Sequence, residues 1–253
     1  MSDFAADVTA VILTRDEEAN IARTLGQLKW AREVIVVDSG SKDATLTIAR
    51  GFPNVRVEER TLDDLASQWT FAVAQAKTPW VLTLDADYFV PGTFPRELQE
   101  LRGDVAGYVA HFHYAIQGRR LRASLYPERA VLLRRDAISF SMDGHTQRVN
   151  ISGPIADLRT RFIHDDRKPF ARFLERQRVY MRDEAAKIRR GDNLNFAARV
   201  RKLRVVAPVA VLLQTLFIKG LIFDGVAGLT YASERFVAEL MLSRELFRSS
   251  DRP

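Results

Sequence analysis

Two kinds of apolar pattern alternate through the first half of the chain. Val8–Thr14 (VTAVILT), residues 33–38 (EVIVVD), Val55–Glu59 and residues 80–84 (WVLTL) are short runs rich in β-branched and aromatic residues, and they predict strands. Between them, residues 16–28 set Ala19, Ala22, Leu25 and Leu28 at helical spacing. Residues 41–50 predict a short helix with Ser41 or Asp43 as N-cap, and residues 65–76 another helix. Strands that are apolar throughout, alternating with helices, imply a mostly parallel sheet covered on both faces. Further on, residues 95–101 predict a helix. Residues 107–116 and 130–134 predict more strands of the same sheet, some of them antiparallel. Residues 143–149 (DGHTQRV) read as a polar loop entering a strand, and 161–163 as a strand. Phe170–Arg190 has Phe170, Phe173, Leu174, Gln177, Tyr180, Met181 and Ile188 on one helical face and arginines on the other. There is no internal repeat.

Charge divides the chain unevenly. Of its 253 residues, 38 are Lys or Arg and 32 Asp or Glu, a net +6. Residues 1–158 are net −3, residues 159–204 net +9 and residues 205–253 neutral. The basic stretch, ending in Arg199, Arg201, Lys202 and Arg204, runs into residues 205–218 (VVAPVAVLLQTLFI), which carry no charge. Basic-then-apolar order suits an anionic lipid surface. Fourteen uncharged residues fall short of the ~20 of a spanning helix. Pro208, Gly220, Gly225 and Gly228 favour a broken helical hairpin lying on the inner leaflet, and a helical pair packed on protein is the alternative. The expected division is a catalytic domain over 1–168 and a basic, apolar helical region over 169–253. With 47% apolar and 28% charged residues the chain is globular. It has no cysteine, which excludes disulfides, thiolate metal sites and a Cys nucleophile. Its first residues lack a signal-peptide pattern, so a cytoplasmic location is expected.

Polar residues gather where the strands end. The first run ends in Thr14-Arg15-Asp16-Glu17-Glu18, the second in Asp38-Ser39-Gly40-Ser41 and the fourth in Asp85-Ala86-Asp87. Ligands of parallel sheets bind outside these carboxyl ends. Asp85 and Asp87 could share a divalent cation and a sugar hydroxyl, since Mg²⁺ and Mn²⁺ prefer oxygen ligands and bridge carboxylates to phosphates. Asp38 could accept hydrogen bonds from a nucleobase or ribose, with Ser39 beside it, although Asp, Ser and Gly equally suit a turn. Arg15 could meet a phosphate. No Walker or GxGxxG loop is present.

VILTRDEEANI, EVIVVDSGSKDAT and WVLTLDADYFVP, in this order, resemble the family 2 glycosyltransferases of GT-A fold. Within that family the likeness is to bacterial lipopolysaccharide-core glucosyltransferases. It extends through LYPERAVLLRR, residues 143–149 and FIKGLIFDGVAGL. The resemblance implies a Rossmann-like, mixed but mostly parallel sheet with helices on both faces. It also implies inverting transfer from a nucleotide sugar, usually a UDP-sugar, with Mn²⁺ or Mg²⁺, and no nucleic acid partner. Thr14, Arg15, Glu17 and Asp38 would line the nucleotide, Asp85 would touch ribose or metal, and Asp87 would bind metal. His164 would complete the metal site. The acceptor would be a saccharide or a lipid-linked saccharide, placing the protein peripherally on the cytoplasmic face of the inner membrane. A homo-oligomer is compatible with this. Two departures stand out. Tyr88 occupies a place often held by Glu, and His145-Thr146-Gln147 replaces a usual His-Glu pair. An inverting enzyme needs a general base; Asp143 is the first choice and Glu128 the second. His145 lies on the acceptor side, and Arg167 and Lys168 could meet a diphosphate or a phosphorylated acceptor.

Two other classes fit parts of the pattern. A nucleotidyltransferase would be expected to carry a glycine-rich phosphate loop where this chain has TRDEEAN. A non-catalytic module could bind membrane or nucleic acid through the basic segment, but three acidic strand ends would then repel phosphate.

Overall fold

A computed structural model of the protein describes residues 4–61, 63–143, 146–190, 201 and 206–248, without the side chains of Ala5, Asp143 and Thr146. The chain divides into two compact units, one of residues 1–113 and 126–167, the other of residues 114–125 and 168–253.

The first unit is built on seven strands. They are β1 (Val8–Thr14), β2 (Val34–Asp38), β3 (Val55–Glu59), β4 (Trp80–Asp85), β6 (Gly107–Ala110), β9 (Arg129–Arg134) and β12 (Ile155–Asp157), in the order β12-β6-β9-β4-β1-β2-β3. Between β4 and β6 lies the short β5 (Tyr88–Phe89), and after β6 come β7 (Phe112–Ile116) and β8 (Arg119–Arg120). β4, β1, β2 and β3 run parallel, and β9 enters antiparallel between β4 and β6. Alternate side chains of the central strands serve two cores. Ala10, Ile12, Val34, Val36, Leu82 and Leu84 meet Ile21 and Leu25 of α1 (Ile21–Gly26) and Leu98 of α4 (Phe94–Glu100). Val11, Ile35, Val37 and Val81 meet Trp69, Ala72 and Val73 of α3 (Leu65–Ala74) on the other face. The expected mixed, mostly parallel sheet covered on both faces is what forms.

Local chemistry explains where elements begin later than the periodicity suggests. α1 starts at Ile21 because residues 15–20 form a loop in which Asp16 takes the left-handed φ of 52°. α2 (Thr45–Arg50) has Ala44 as its N-cap, with no side-chain cap bond. Ser41 does not cap it, since its hydroxyl serves the strand-end loops, whereas Asp43 Oδ1 accepts from the Thr45 N–H at 3.0 Å and so satisfies the first residue of the helix. Residues 107–116 split into two strands at His111. Residues 143–149, read as a polar loop entering a strand, lie in strands at Asp143 and from Thr146 onward, with residues 144–145 outside the described residues. Asp143 closes β10 (Ile138–Asp143) and Thr146 opens β11 (Thr146–Ile151) in an antiparallel hairpin. Phe140 of that hairpin stacks on Trp69, with ring centroids 6.0 Å apart. β13 (Phe162–His164) pairs antiparallel with β5, setting His164 opposite Tyr88.

In the second unit the end of β7 pairs with β8 through a turn at Gln117 and Gly118, both with positive φ. Leu121 beyond it packs with Leu221, Ala227 and Tyr231. α5 (Phe170–Arg190) buries Ala185 and Ile188 against Leu242 and Leu246 of the last helix. α6 (Val206–Leu213) runs through one wide turn to Ile218, the chain turns at Gly220 (φ 69°), and α7 (Gly225–Arg248) follows. The two arms are bent by 70°, and among the described residues no single helix is long and apolar enough to cross a membrane. Arg199, Lys202 and Arg204 lie outside the described residues.

Candidate active site

The ends of β1 and β2 are stitched into one platform. Asp38 is buried, and four donors fill its carboxylate. Gly40 N–H (2.9 Å) and Ser41 N–H (2.8 Å) reach Oδ1, while the Thr14 hydroxyl (2.9 Å) and the Ser41 hydroxyl (2.5 Å) reach Oδ2. The two loops then exchange further bonds. Asp16 N–H donates to Ser41 Oγ, Glu17 N–H to Thr45 Oγ1, and Lys42 N–H back to Asp16 Oδ1. Glu17 is buried and accepts from the Asn20 amide at 3.0 Å. Thr14, Glu17 and Asp38 are thus brought together as the frame of the platform, with Arg15 exposed on it and Ser39 half-buried. Gln68 of α3 donates to Ser39 Oγ at 3.1 Å, and its own buried carbonyl oxygen has no partner among the described residues. The sequence signal for Gln68 is an amide among the apolar residues of α3.

The end of β4 holds the acidic pair. Asp87 is buried, and His164 Nε2 lies 3.3 Å from its Oδ2. Burial, then the Asp87 carboxylate, push the Asp85 carboxyl upward, against the opposing pull of a Tyr88 hydrogen bond, His164 and Arg129. Burial works against the charged His164 ring, yet Asp87, Asp85 and Asp166 outweigh it and raise its pKa. Tyr88 places its hydroxyl 2.5 Å from that of Tyr126. Burial and Asp85 hold Tyr88 well above the ordinary phenol range. The Tyr126 ring stacks on His164, centroids 4.3 Å apart. Tyr88 thus sets a neutral hydrogen-bond donor beside Asp85.

The segment after His164 is tied to α1. Asp165 is buried between Arg23, with which it forms a tight ion pair, and Arg167 Nε at 2.9 Å. Asn20 donates to Asp166 Oδ1 at 3.2 Å and accepts from Arg167 N–H at 3.1 Å. Thr24 donates to the Ala86 carbonyl at 2.6 Å. One helix thus fixes both the Asp85–Asp87 turn and His164. Arg167 is engaged with Asp165, and Lys168 belongs to the second unit.

Beyond β4 the rim continues with carboxylates around a histidine. His111 Nδ1 faces Glu128 Oε2 at 3.6 Å and Nε2 faces Asp157 Oδ1 at 3.1 Å. Strand pairing places His111 after Ala110, the residue opposite Arg129, so Glu128 and His111 leave the sheet together. His111 and Asp157 as supports for Glu128 were not visible in the sequence, because they come from different strands. The side chain of Asp143, and Gly144 with His145, lie outside the described residues.

Among the described residues no three His, Asp or Glu side chains close around an ion by themselves. Asp87 and His164 nevertheless offer an oxygen and a nitrogen 3.3 Å apart, beside a second carboxyl that burial and Asp87 disfavour as an anion. Such a donor set fits a divalent cation.

The chain belongs to glycosyl transferase family 2, whose model matches residues 9–164. It is 32% identical over 85 residues to the lipopolysaccharide core biosynthesis glycosyltransferase LpsC of Rhizobium meliloti, covering 32% of this chain and 31% of that protein. It is 38% identical over 81 residues to an uncharacterized glycosyltransferase of Rickettsia bellii, covering 32% and 27%. The matches thus span about a third of these relatives' length. The mannosyltransferase PcManGT of Pyrobaculum calidifontis, solved with GDP-Man and Mn²⁺, superposes with a TM-score of 0.51 at 16% identity, covering 96% of this chain and 86% of that one. That likeness is one of fold, the GT-A fold expected from the sequence.

Proposed function

We propose that this glycosyltransferase moves a sugar from a UDP-sugar to a saccharide or lipid-linked acceptor, inverting the anomeric centre, in cell-envelope glycan synthesis. The observation that carries it is the buried Asp87–His164 pair at the end of β4, beside the loop platform at the ends of β1 and β2. The name of LpsC supports the envelope assignment.

The platform would take the nucleotide. Asp38 holds Thr14, Gly40 and Ser41 in place, so that Ser39, Gln68 and Arg15 would be the groups meeting base and phosphate. Asp85, fixed by Tyr88, would meet the ribose. A divalent cation, Mn²⁺ or Mg²⁺, held by Asp87 and His164 would supply Lewis-acid stabilisation of the diphosphate. Arg129, which acts electrostatically on Asp85, adds positive charge on the same side.

Inversion by single displacement needs a base that takes the acceptor hydroxyl's proton as its oxygen attacks the anomeric carbon. Glu128 fills this role in our assignment. It is exposed to an incoming acceptor, and His111, anchored by Asp157, orients it. Asp143 is the competing candidate.

A donor screen tests the proposal. The whole chain is incubated with radiolabelled UDP-, GDP- and dTDP-sugars and Mn²⁺, and release of the nucleoside diphosphate is followed. Release from a UDP-sugar that Asp87→Ala abolishes is the expected result. Turnover of another donor alone would overturn the UDP assignment, and equal turnover by the variant would overturn the role of Asp87.

A further inference from the structure

The bend between α6 and α7 exposes side chains that a water-facing surface does not need. Phe217 is 61% exposed, Ile218 82%, Phe223 75% and Val226 72%. They crowd into ten residues, where single exposed apolar side chains would be unremarkable. The apolar surface continues up α6 as Val206, Val209 and Leu213, one helical stripe at 54%, 51% and 49% exposure.

The bend is closely packed against the start of α7. At Gly228 an added Cβ would lie 1.9 Å from the Leu221 carbonyl oxygen, so only glycine lets α7 pass so close to the turn. Leu221 is buried beneath, on Tyr231 and Leu121. The exposed apolar residues are thus the outer face of an ordered turn.

Its surroundings are cationic. Arg122 lies over the Phe223 ring at 5.3 Å, so the Arg119–Arg122 segment borders the tip. Arg119 and Arg120 are exposed, and Lys219 sits within the bend. The one acid within residues 217–226, Asp224, has only 12% of its side chain exposed and is neutralised by Arg122, which donates to it from its N–H at 3.0 Å and from Nε at 2.9 Å.

We propose that this bend is an interfacial anchor for an anionic bilayer. Phe217, Ile218, Phe223 and Val226 enter the headgroup–acyl boundary, and Arg119, Arg120 and Lys219 meet lipid phosphates. Charge selects this occupant over a second copy of the chain. A two-fold contact through the same patch would set these cations against themselves, whereas a phosphate layer neutralises them. The sequence pattern points to the basic residues before α6 as the cationic partner; Arg199, Lys202 and Arg204 of that stretch lie outside the described residues, and the Arg119–Arg122 segment adds further cations beside the bend. The inference stands independently of the transfer chemistry.

The test is flotation of the full chain with vesicles of phosphatidylcholine alone or mixed with phosphatidylglycerol, at low and high salt. Wild type is expected to float with the mixed vesicles at low salt and to lose most of that binding at high salt. Ile218→Ser with Phe223→Ser, and separately Arg119→Glu with Arg120→Glu, should each weaken binding by about tenfold or more. Circular dichroism and sedimentation equilibrium are run on every variant. All these substituted residues are exposed, so the charge pair still decides the question if the apolar pair unfolds. No flotation of wild type, or unchanged flotation of a folded charge variant, overturns the proposal. A wild-type dimer that the apolar pair dissociates, without vesicle binding, overturns it in favour of a second copy.

Discussion

His164 and Asp87 come from β13 and from the turn after β4, and their Nε2 and Oδ2 atoms meet at 3.3 Å in a buried setting. The contact is made because β13 pairs with β5 and Asp165 N–H donates to the Asp87 carbonyl at 3.1 Å. If the two side chains share a cation, His164→Ala should weaken Mn²⁺-dependent UDP binding by about tenfold or more, roughly 1.4 kcal/mol. Whatever weak UDP binding remains in EDTA should not change. An equal loss in both conditions would make His164 a packing residue for Tyr126 instead.

Asp38 is expected to act on stability before it acts on substrate. Asp38→Ala removes the acceptor for four donors at once. Hydrogen bonds to a charged group contribute about 1.5–3 kcal/mol each, but water can replace some of them at the exposed Gly40. A net loss of about 3 kcal/mol follows, read by urea unfolding. Unchanged stability with lost UDP binding would mean that Asp38 reads the nucleotide directly.

Glu128→Gln should lower kcat by about 10²-fold or more while leaving the donor KM nearly unchanged. His111→Ala and Asp157→Asn should lower kcat less, since they orient the base without taking the proton. A wild-type rate in Glu128→Gln would move the base to Asp143.

Glu97 provides a pH test in the scaffold. Although burial opposes its charge, its carboxylate accepts from Thr160 N–H at 2.8 Å and Arg159 N–H at 2.6 Å, and its pKa is lowered from 4.5. A depressed folded pKa means stability that is fully present above the unfolded value and is lost as pH falls through the folded one. Below about pH 4.5 wild type should lose stability more steeply than Glu97→Gln, which has no proton to take up there. Parallel acid-unfolding curves would contradict this.

Gly228→Ala should destabilise the second unit by about 1–3 kcal/mol or more, because its methyl meets backbone and not a movable side chain. Thermal unfolding followed by circular dichroism would show it.

The central strands were legible in the sequence because burial on both faces leaves an unbroken apolar run, and β1 matches its expected bounds. The acidic strand ends were legible for the same reason, since a polar residue that closes such a run faces the ligand rim. What pattern could not show was assembly across distance. The Asp165 clasp on Arg23, the Gln68–Ser39 contact and the Glu128–His111–Asp157 array each join residues from separate elements. Helix starts were misplaced where side chains bond to the neighbouring loop instead of capping, as Ser41 does with Asp38. The cationic border of the α6–α7 bend was missed because Arg119 and Arg120 lie in the other half of the sequence from the apolar tip.

In the proposed function the β4 end and the β1–β2 platform form one metal-assisted nucleoside diphosphate site. Calorimetric titration of UDP into the whole chain, with Mn²⁺ and with EDTA, for wild type and Asp87→Ala, tests it most directly. Binding that needs Mn²⁺ and disappears in Asp87→Ala, with circular dichroism unchanged, is the predicted result. UDP binding of equal strength in EDTA and in the variant, or no binding of UDP, GDP or dTDP under any condition, would contradict it.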